Sequence, residues 1–474
     1  MNLGEIGRIL GIVGSEADTA MSNLQPLGYS IDSRTVRSGE LFFAIRGVNT
    51  DGHRFVDAAL DRGALAAVVA RDFAAPERSF ERKLIRVADT LLALQALASA
   101  VLRSWRGREV AVTGSSGKTT TKEILASLLE RAGRVIKSEG NLNNHYGLPL
   151  SVLRMESDGA DAGDYDHAVF EMGMNHKGEI ARLTEIAPPD IGVVTNVAPV
   201  HLEFFSSVAE IADAKAEMVL GIKPGGTAVL NADDELVSRM ARLRTDIRVR
   251  TFGIDRPADV TARDVVSRGF DGTQFGLVTP RGETNVLLRL AGRHNLYNAL
   301  AAAAVADLCE VPLADIASAL ATCSGTKMRG EVVRLANGAT LIDDSYNSNP
   351  RALAEMVDTL CAGGGRHVVV AGEMLELGES GPQLHRDSGR AMAGKSVQLI
   401  VGVRGLGREI VDGAIDAGFD RDAAIYCDTP AEAAELLGKR LAAGDAVLVK
   451  GSRGVKMETV VELLKQRFGV KEAG

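Results

Sequence analysis

The residues best suited to chemistry lie in the run Val110-Ala111-Val112-Thr113-Gly114-Ser115-Ser116-Gly117-Lys118-Thr119-Thr120-Thr121. An apolar, β-branched stretch ends in a glycine loop, and a helical pattern from Lys122 to Arg131 follows. Such a turn aims backbone N–H groups and the positive end of a helix at one point, which suits a polyphosphate. Lys118 is spaced to reach the terminal phosphates, and the Thr119 hydroxyl to sit on the magnesium ion that accompanies them. The nucleotide-binding set expected here is Gly114, Ser115, Ser116, Gly117, Lys118, Thr119 and Thr120. The loop is also one glycine short: the full pattern wants glycine five residues before Gly117, where Val112 stands. That defect separates it from the loop of an ordinary kinase or GTPase. The bland alternative is a tight strand-to-helix turn.

Other polar groups cluster where strands should end, the place at which open α/β sheets bind ligands. Glu171, closing the strand-like run His167–Glu171, is placed either as a magnesium ligand or as a solvated carboxylate. His201 follows a strand in Thr195-Asn196-Val197-Ala198-Pro199-Val200-His201-Leu202-Glu203, as a ligand or as a hydrogen-bonded structural histidine. Lys215 sits among Asp213 and Glu217, and spacing alone makes it a solvated helical lysine. Asn295 and Asn298 share a helix face, where their amides match the hydrogen-bonding edge of a base or cap the helix. Asp343-Asp344-Ser345-Tyr346-Asn347-Ser348-Asn349-Pro350 concentrates polar and turn residues after a strand, with Asn349 and Pro350 opening a helix.

The elements that must hold these groups can be read from the pattern. At 474 residues the chain exceeds one core, and at roughly 100–200 residues per domain it makes about three. A hydrophobic content of 46% and a charged content of 24% describe a globular protein. The net charge of −8 argues against a nucleic-acid partner, which needs a clustered basic face. Cys309, Cys323, Cys361 and Cys427 have no metal-type spacing and read as free thiols of a reducing compartment. With neither a targeting signal nor an apolar run near ~20 residues, a cytoplasmic location without membrane insertion is expected.

The first block, residues 1–87, carries a surface helix over Met1 to Val13, strands at Gly39–Ile45 and Ala66–Ala70, and a helix at Phe55–Arg62. The second, residues 88–324, opens with a helix over Leu91–Leu102. Strands at Glu109–Thr113, His167–Glu171, Asp190–Asn196, Thr227–Asn231 and Arg248–Phe252 follow, as in a parallel doubly wound sheet. Val260 to Leu290 reads as a small antiparallel meander inserted or appended there, before a helix over Asn295–Leu308. The third block, residues 325–474, places strands at Thr340–Asp344, Arg366–Ala371, Gln398–Val403, Ala424–Cys427 and Ala446–Lys450, a Rossmann-like pattern. The fold class is α/β: three consecutive domains, the central one bearing the phosphate loop.

In this order the residues resemble the Mur ligase family of ATP-dependent amide-forming enzymes in peptidoglycan synthesis, over nearly the whole length. The family's shortened phosphate loop matches Thr113 to Thr120 and accounts for Val112. The resemblance implies that Glu171, Thr119, His201 and a carbamoylated Lys215 hold two magnesium ions, with Lys118, Lys215 and His201 in catalytic roles. It further implies that Asn295 and Asn298 contact adenine, and that Arg329 and Asp344 bind ATP, Asp344 at the ribose. Asn141-Leu142-Asn143-Asn144, Asp343 to Pro350 and Met374-Leu375-Glu376-Leu377-Gly378 with His385 resemble the D-alanyl-D-alanine-adding branch. Asp32-Ser33-Arg34 and Asp51-Gly52-His53 resemble a uridine-nucleotide-binding block that folylpolyglutamate synthetase-type ligases lack. The substrates implied are UDP-N-acetylmuramoyl-tripeptide and D-alanyl-D-alanine, bound through Ser33, Arg34, Asn141, Asn144, Tyr346, Asn347 and Asn349, on a monomer.

Overall fold

Alternation along Leu41-Phe42-Phe43 decides how the first sheet is used, because neighbouring side chains in a strand point to opposite faces. Phe42 joins Val56, Ala67 and Val69 in a core of the first domain. Leu41 and Phe43 face the other way and pack with Leu94 and Leu97 of the helix Thr90–Ser104, a core shared with the central domain. The sheet has four parallel strands in the order Tyr29–Ser30, Leu41–Phe43, Ala66–Ala70, Leu84–Val87. The computed structural model describes residues 1–12, 19–47, 49–74, 78–200, 203–323, 325 and 327–471. The helix expected over Met1 to Val13 spans Leu3–Ile9, capped by Asn2, with Leu3 and Ile6 buried; Val13 lies outside the described residues.

The central sheet has nine strands. Six run parallel in the order Arg248–Gly253, Thr227–Asn231, Ile191–Val194, Arg108–Thr113, His167–Glu171, Val135–Lys137. Val110 and Val112 pack beneath the helices Lys118–Leu129 and Arg293–Leu308, whereas Ala111 packs on the opposite face, so both faces are covered. The unbroken buried run Ala299 to Ala306 carries only two side chains larger than alanine, Leu300 and Val305, and its small residues let that helix lie close against the phosphate-loop helix. The strands Val260–Ser267, Thr273–Thr279 and Gly282–Leu288 form the expected antiparallel meander, appended to the edge of the central sheet through the pairing of Val260 with Phe252. The physical reason is their inner face, since Ala262, Phe275, Leu277, Val286 and Leu288 bury into the core beneath the phosphate-loop helix.

The last domain has six strands in the order Glu331–Arg334, Thr340–Asp344, Asp445–Lys450, Arg366–Gly372, Leu399–Val403, Ala424–Cys427, parallel except for the first. Val368 and Val370 pack on one face and Val369 and Ala371 on the other, as a sheet wound on both sides requires. Among the described residues no helix is long and apolar enough to cross a membrane.

Candidate active site

Sheet order sets up the site. The strand Arg108–Thr113 lies between His167–Glu171 and Ile191–Val194, with Val112 opposite Glu171 on one side and Val193 on the other. The three strands therefore end at one level, and the phosphate loop emerges with polar groups on both flanks. Val112 is a fully buried ladder residue, so the chain turns only at Gly114.

The Ile191–Val194 side braces the loop. Thr195 Oγ1 donates to the Ser116 carbonyl at 2.7 Å, and Asn196 Oδ1 accepts from the Ser116 N–H at 3.0 Å. The Ser115 N–H donates to the Asn196 carbonyl at 3.0 Å. Gly114 has φ +152°, and a Cβ there would stand 1.8 Å from Thr195 Oγ1, so no side chain fits. Gly117, φ +79°, caps the helix, which Lys118 opens. Lys118 Nζ curls back to donate to the Gly114 carbonyl at 2.8 Å. Burial pushes its ammonium below the ordinary lysine range; the Glu171 carboxylate opposes that push and Arg329 adds to it.

The His167–Glu171 side supplies the carboxylate. Glu171 is 3% exposed; its Oε2 accepts from Thr119 Oγ1 at 2.7 Å and its Oε1 from Asn143 Nδ2 at 2.8 Å. Two hard oxygen donors thus converge beside the phosphate loop. Among the described residues no cluster of three or more His, Cys, Asp or Glu could hold a metal ion. Magnesium takes one or two protein oxygens and completes its shell with phosphate and water.

Lys215 contradicts the solvated reading its spacing supports. The helix Val208–Leu220 turns it inward, and it is 2% exposed. Among the described residues its ammonium has no hydrogen-bond or ion-pair partner. Burial holds its pKa well below the usual lysine range, and the charge of Lys118 lowers it further. A lysine buried beside Lys118 needs a reason, since an isolated ammonium there costs several kcal/mol.

The phosphate loop opens into a cavity of about 520 Å³ whose far wall belongs to the last domain. There Arg329 stacks on the Tyr346 ring at 3.9 Å. Lys450, 4% exposed, donates to Asp344 Oδ2 at 2.5 Å and to the Asn347 carbonyl at 2.9 Å. Asn347 Oδ1 accepts from the Ser348 N–H, and Asn349 Oδ1 caps the helix Pro350–Cys361. The cavity thereby unites Ser115, Ser116, Gly117, Lys118, Thr119, Thr120, Asn141, Asn144, Glu171, Asn295, Asn298, Arg329, Asp344, Tyr346, Asn347 and Asn349.

Asn295 and Asn298 line that cavity, yet much of their capacity is internal. Asn298 Oδ1 accepts from Thr121 at 3.3 Å, and its Nδ2 donates to Asn295 Oδ1 at 3.2 Å. Asn144 Oδ1 accepts from the Tyr146 and Gly147 N–H groups, opening the helix Gly147–Leu153. Ser33 and Arg34 do not line the cavity. Ser33 is buried in the first domain, and Arg34 is exposed, gripping Asp32 and holding its carboxyl down at about 2. His201 lies outside the described residues. Sequence reasoning passed over Asn143, His294, Lys450 and Arg453, all of which line the cavity. Asn143 stood inside a quoted motif, and Lys450 ends an apolar strand beside a Gly-Ser pair, a polar strand end like those already singled out.

Three family models match the chain: "Mur ligase family, catalytic domain" over residues 28–101, "Mur ligase middle domain" over 112–306, and "Mur ligase, glutamate ligase domain" over 328–453. UDP-N-acetylmuramoyl-tripeptide--D-alanyl-D-alanine ligase from Escherichia coli is 36% identical over 439 residues, 92% of this chain and 93% of that protein. The ligase of the same name from Bacillus subtilis is 34% identical, with 92% of each chain covered. Among solved structures, MurF from Acinetobacter baumannii superposes with a TM-score of 0.86 at 30% identity, covering 98% of both chains. MurF ligase from Thermotoga maritima in complex with ADP does so with a TM-score of 0.80 at 31% identity, covering 94% of this chain and 99% of that one.

Proposed function

The chain belongs to the Mur ligase family, and from that premise we propose how its own residues make an amide bond. It is an ATP-dependent ligase that adds D-alanyl-D-alanine to UDP-N-acetylmuramoyl-tripeptide in peptidoglycan synthesis. The tripeptide carboxylate attacks the γ-phosphorus of ATP and ADP leaves, giving an acyl phosphate. The dipeptide amine then attacks the acyl carbon, loses a proton, and displaces phosphate.

The observation that carries this reading is the cavity shared by the phosphate loop, Glu171 and the wall formed by Arg329 and Asp344. In-line phosphoryl transfer is chiefly a matter of positioning and charge neutralisation. The N–H groups of the loop and Lys118 cradle the β- and γ-phosphates, and Lys118 exchanges its Gly114 carbonyl for them. Arg329, held flat on Tyr346, faces the same charge from the last domain. Asp344, fixed by Lys450, offers its carboxylate to the ribose, and Asn295 and Asn298 bound the adenine end. Thr119 and Glu171 would hold magnesium, which when bound draws electron density from the phosphate oxygens.

Lys215 supports the finer expectation of a carbamate and a second ion. Burial favours the deprotonated amine at Lys215, which can attack carbon dioxide and shed a proton to leave an anionic carbamate. The uridine end of the substrate rests on Ser33 and Arg34, and the peptide on Asn141, Asn144, Tyr346, Asn347 and Asn349. Four free cysteines favour the cytoplasm.

Phosphate release tests the reading, with UDP-N-acetylmuramoyl-tripeptide present and D-alanyl-D-alanine added or withheld. Sustained release that needs the dipeptide is expected, together with its loss in a folded Lys118→Ala variant. Equal release without the dipeptide marks a nucleotide-hydrolysing binding module and overturns the assignment.

A further inference from the structure

Glu171 has two carboxylate oxygens, and the chain commits them differently. Oε2 meets the hydroxyl of Thr119, a group able to turn its proton away and offer a lone pair to a cation. Oε1 is held by Asn143 Nδ2 at 2.8 Å, a donor with no lone pair to offer. The atom facing Oε1 is therefore a neutral N–H donor that does not itself coordinate a cation and keeps its role when one arrives at Oε2.

The surroundings fix Asn143 in that place. Its carbonyl accepts from the Gly173 N–H at 2.8 Å, and its own N–H donates to the Asn141 carbonyl at 2.8 Å. A Cβ at Gly173 would approach the Asn143 amide to 3.0 Å, so glycine is what lets the amide lie against the strand end. Behind Glu171, its N–H donates to Ser138 Oγ at 3.2 Å, and the Ser138 carbonyl accepts from the fully buried Lys122 at 2.6 Å. The carboxylate is thus oriented from the side and from behind.

We propose that Asn143 is the positioning residue of the magnesium site, holding Glu171 by Oε1 so that Oε2 alone is offered, beside Thr119, to the ion. The inference rests on the assignment of Glu171 and Thr119 to magnesium. Groups that orient a metal ligand typically contribute about 10- to 100-fold in metal affinity, and Asn143 acts through Glu171.

Calorimetric titration of ADP across a magnesium series reads the effect directly, as the magnesium concentration giving half of the metal-dependent gain in ADP affinity. In Asn143→Ala, and in Asn143→Leu, which keeps the branching at Cγ but removes the donor, that midpoint rises about 10- to 100-fold. Affinity for ADP without magnesium stays at the wild-type value, which a merely structural role for Asn143 would not allow. An unshifted midpoint in both variants, alongside a shifted one in Glu171→Gln, overturns the positioning role and leaves the metal assignment intact. An unshifted midpoint in Glu171→Gln removes the metal assignment itself. Loss of metal-free ADP binding in both Asn143 variants makes the residue one of fold and also overturns the proposal.

Discussion

Replacing Glu109 by glutamine should stabilise the protein increasingly as pH rises from about 5 to about 8, with the sign and size set by one buried carboxyl. Glu109 opens the strand that ends in the phosphate loop; it is 1% exposed, and its Oε1 has no hydrogen-bond partner. Burial pushes its pKa from 4.5 to about 8; Lys223, with Nζ 3.9 Å from Oε2, pulls it down, and Asp190 adds to the rise. Between those two values the folded chain holds a proton that the unfolded chain has released. Fewer protons on the unfolded state make stability fall with pH, at about 1.4 kcal/mol per unit. Across the whole window the loss is roughly 5 kcal/mol, and above pH about 8 it levels off. Glu109→Gln keeps the shape and removes the titration, so its stability curve should be flatter than wild type by that amount. Urea denaturation of both proteins between pH about 5 and about 9, followed by circular dichroism, measures the difference. Parallel curves would show that the Glu109 carboxyl titrates alike in the folded and unfolded states and would refute the argument.

Gly117→Ala places a residue at φ +79° and its Cβ 2.2 Å from Asn298 Oδ1, so ADP should bind at least about tenfold more weakly, near 1.4 kcal/mol; calorimetry giving wild-type affinity would contradict the tight loop. Lys215→Ala should abolish dipeptide-dependent phosphate release. With carbon-13 bicarbonate and magnesium, the wild type should show a carbamate carbon resonance that the variant lacks; no such resonance in a metal-loaded wild type removes the carbamate.

The strands legible in the chain were those with a short apolar run closed by polar or turn residues. His167–Glu171, Thr227–Asn231, Thr340–Asp344 and Ala424–Cys427 occupy the residues their patterns predict. Val135–Lys137 and Glu331–Arg334 gave no such signal, being three- and four-residue edge strands whose pairing comes from a neighbour. Lys215 shows the opposite failure. Its flanking acids resemble a solvated helix face, but Ala212, Ala214 and Ala216 are all buried, so the helix is enclosed on more sides than its charges indicate. The Asn143 contact was equally hidden, since it joins residues 28 apart through the fold rather than through any local spacing.

The absent glycine at Val112 ties these readings together. A phosphate loop that turns late must be held by something other than its own first glycine, because four buried ladder residues precede the turn. Here the support comes from the neighbouring strand, through Thr195 and Asn196, and it forces Gly114 to carry no side chain. The same register brings Glu171 level with Val112 on the other side, within reach of Thr119. Insertion of one residue in the strand Arg108–Thr113 would therefore break both contacts together, since a one-residue slip reverses the facing of every side chain. The brace on the phosphate loop and the Glu171–Thr119 contact depend on one register, and neither can be altered there without the other.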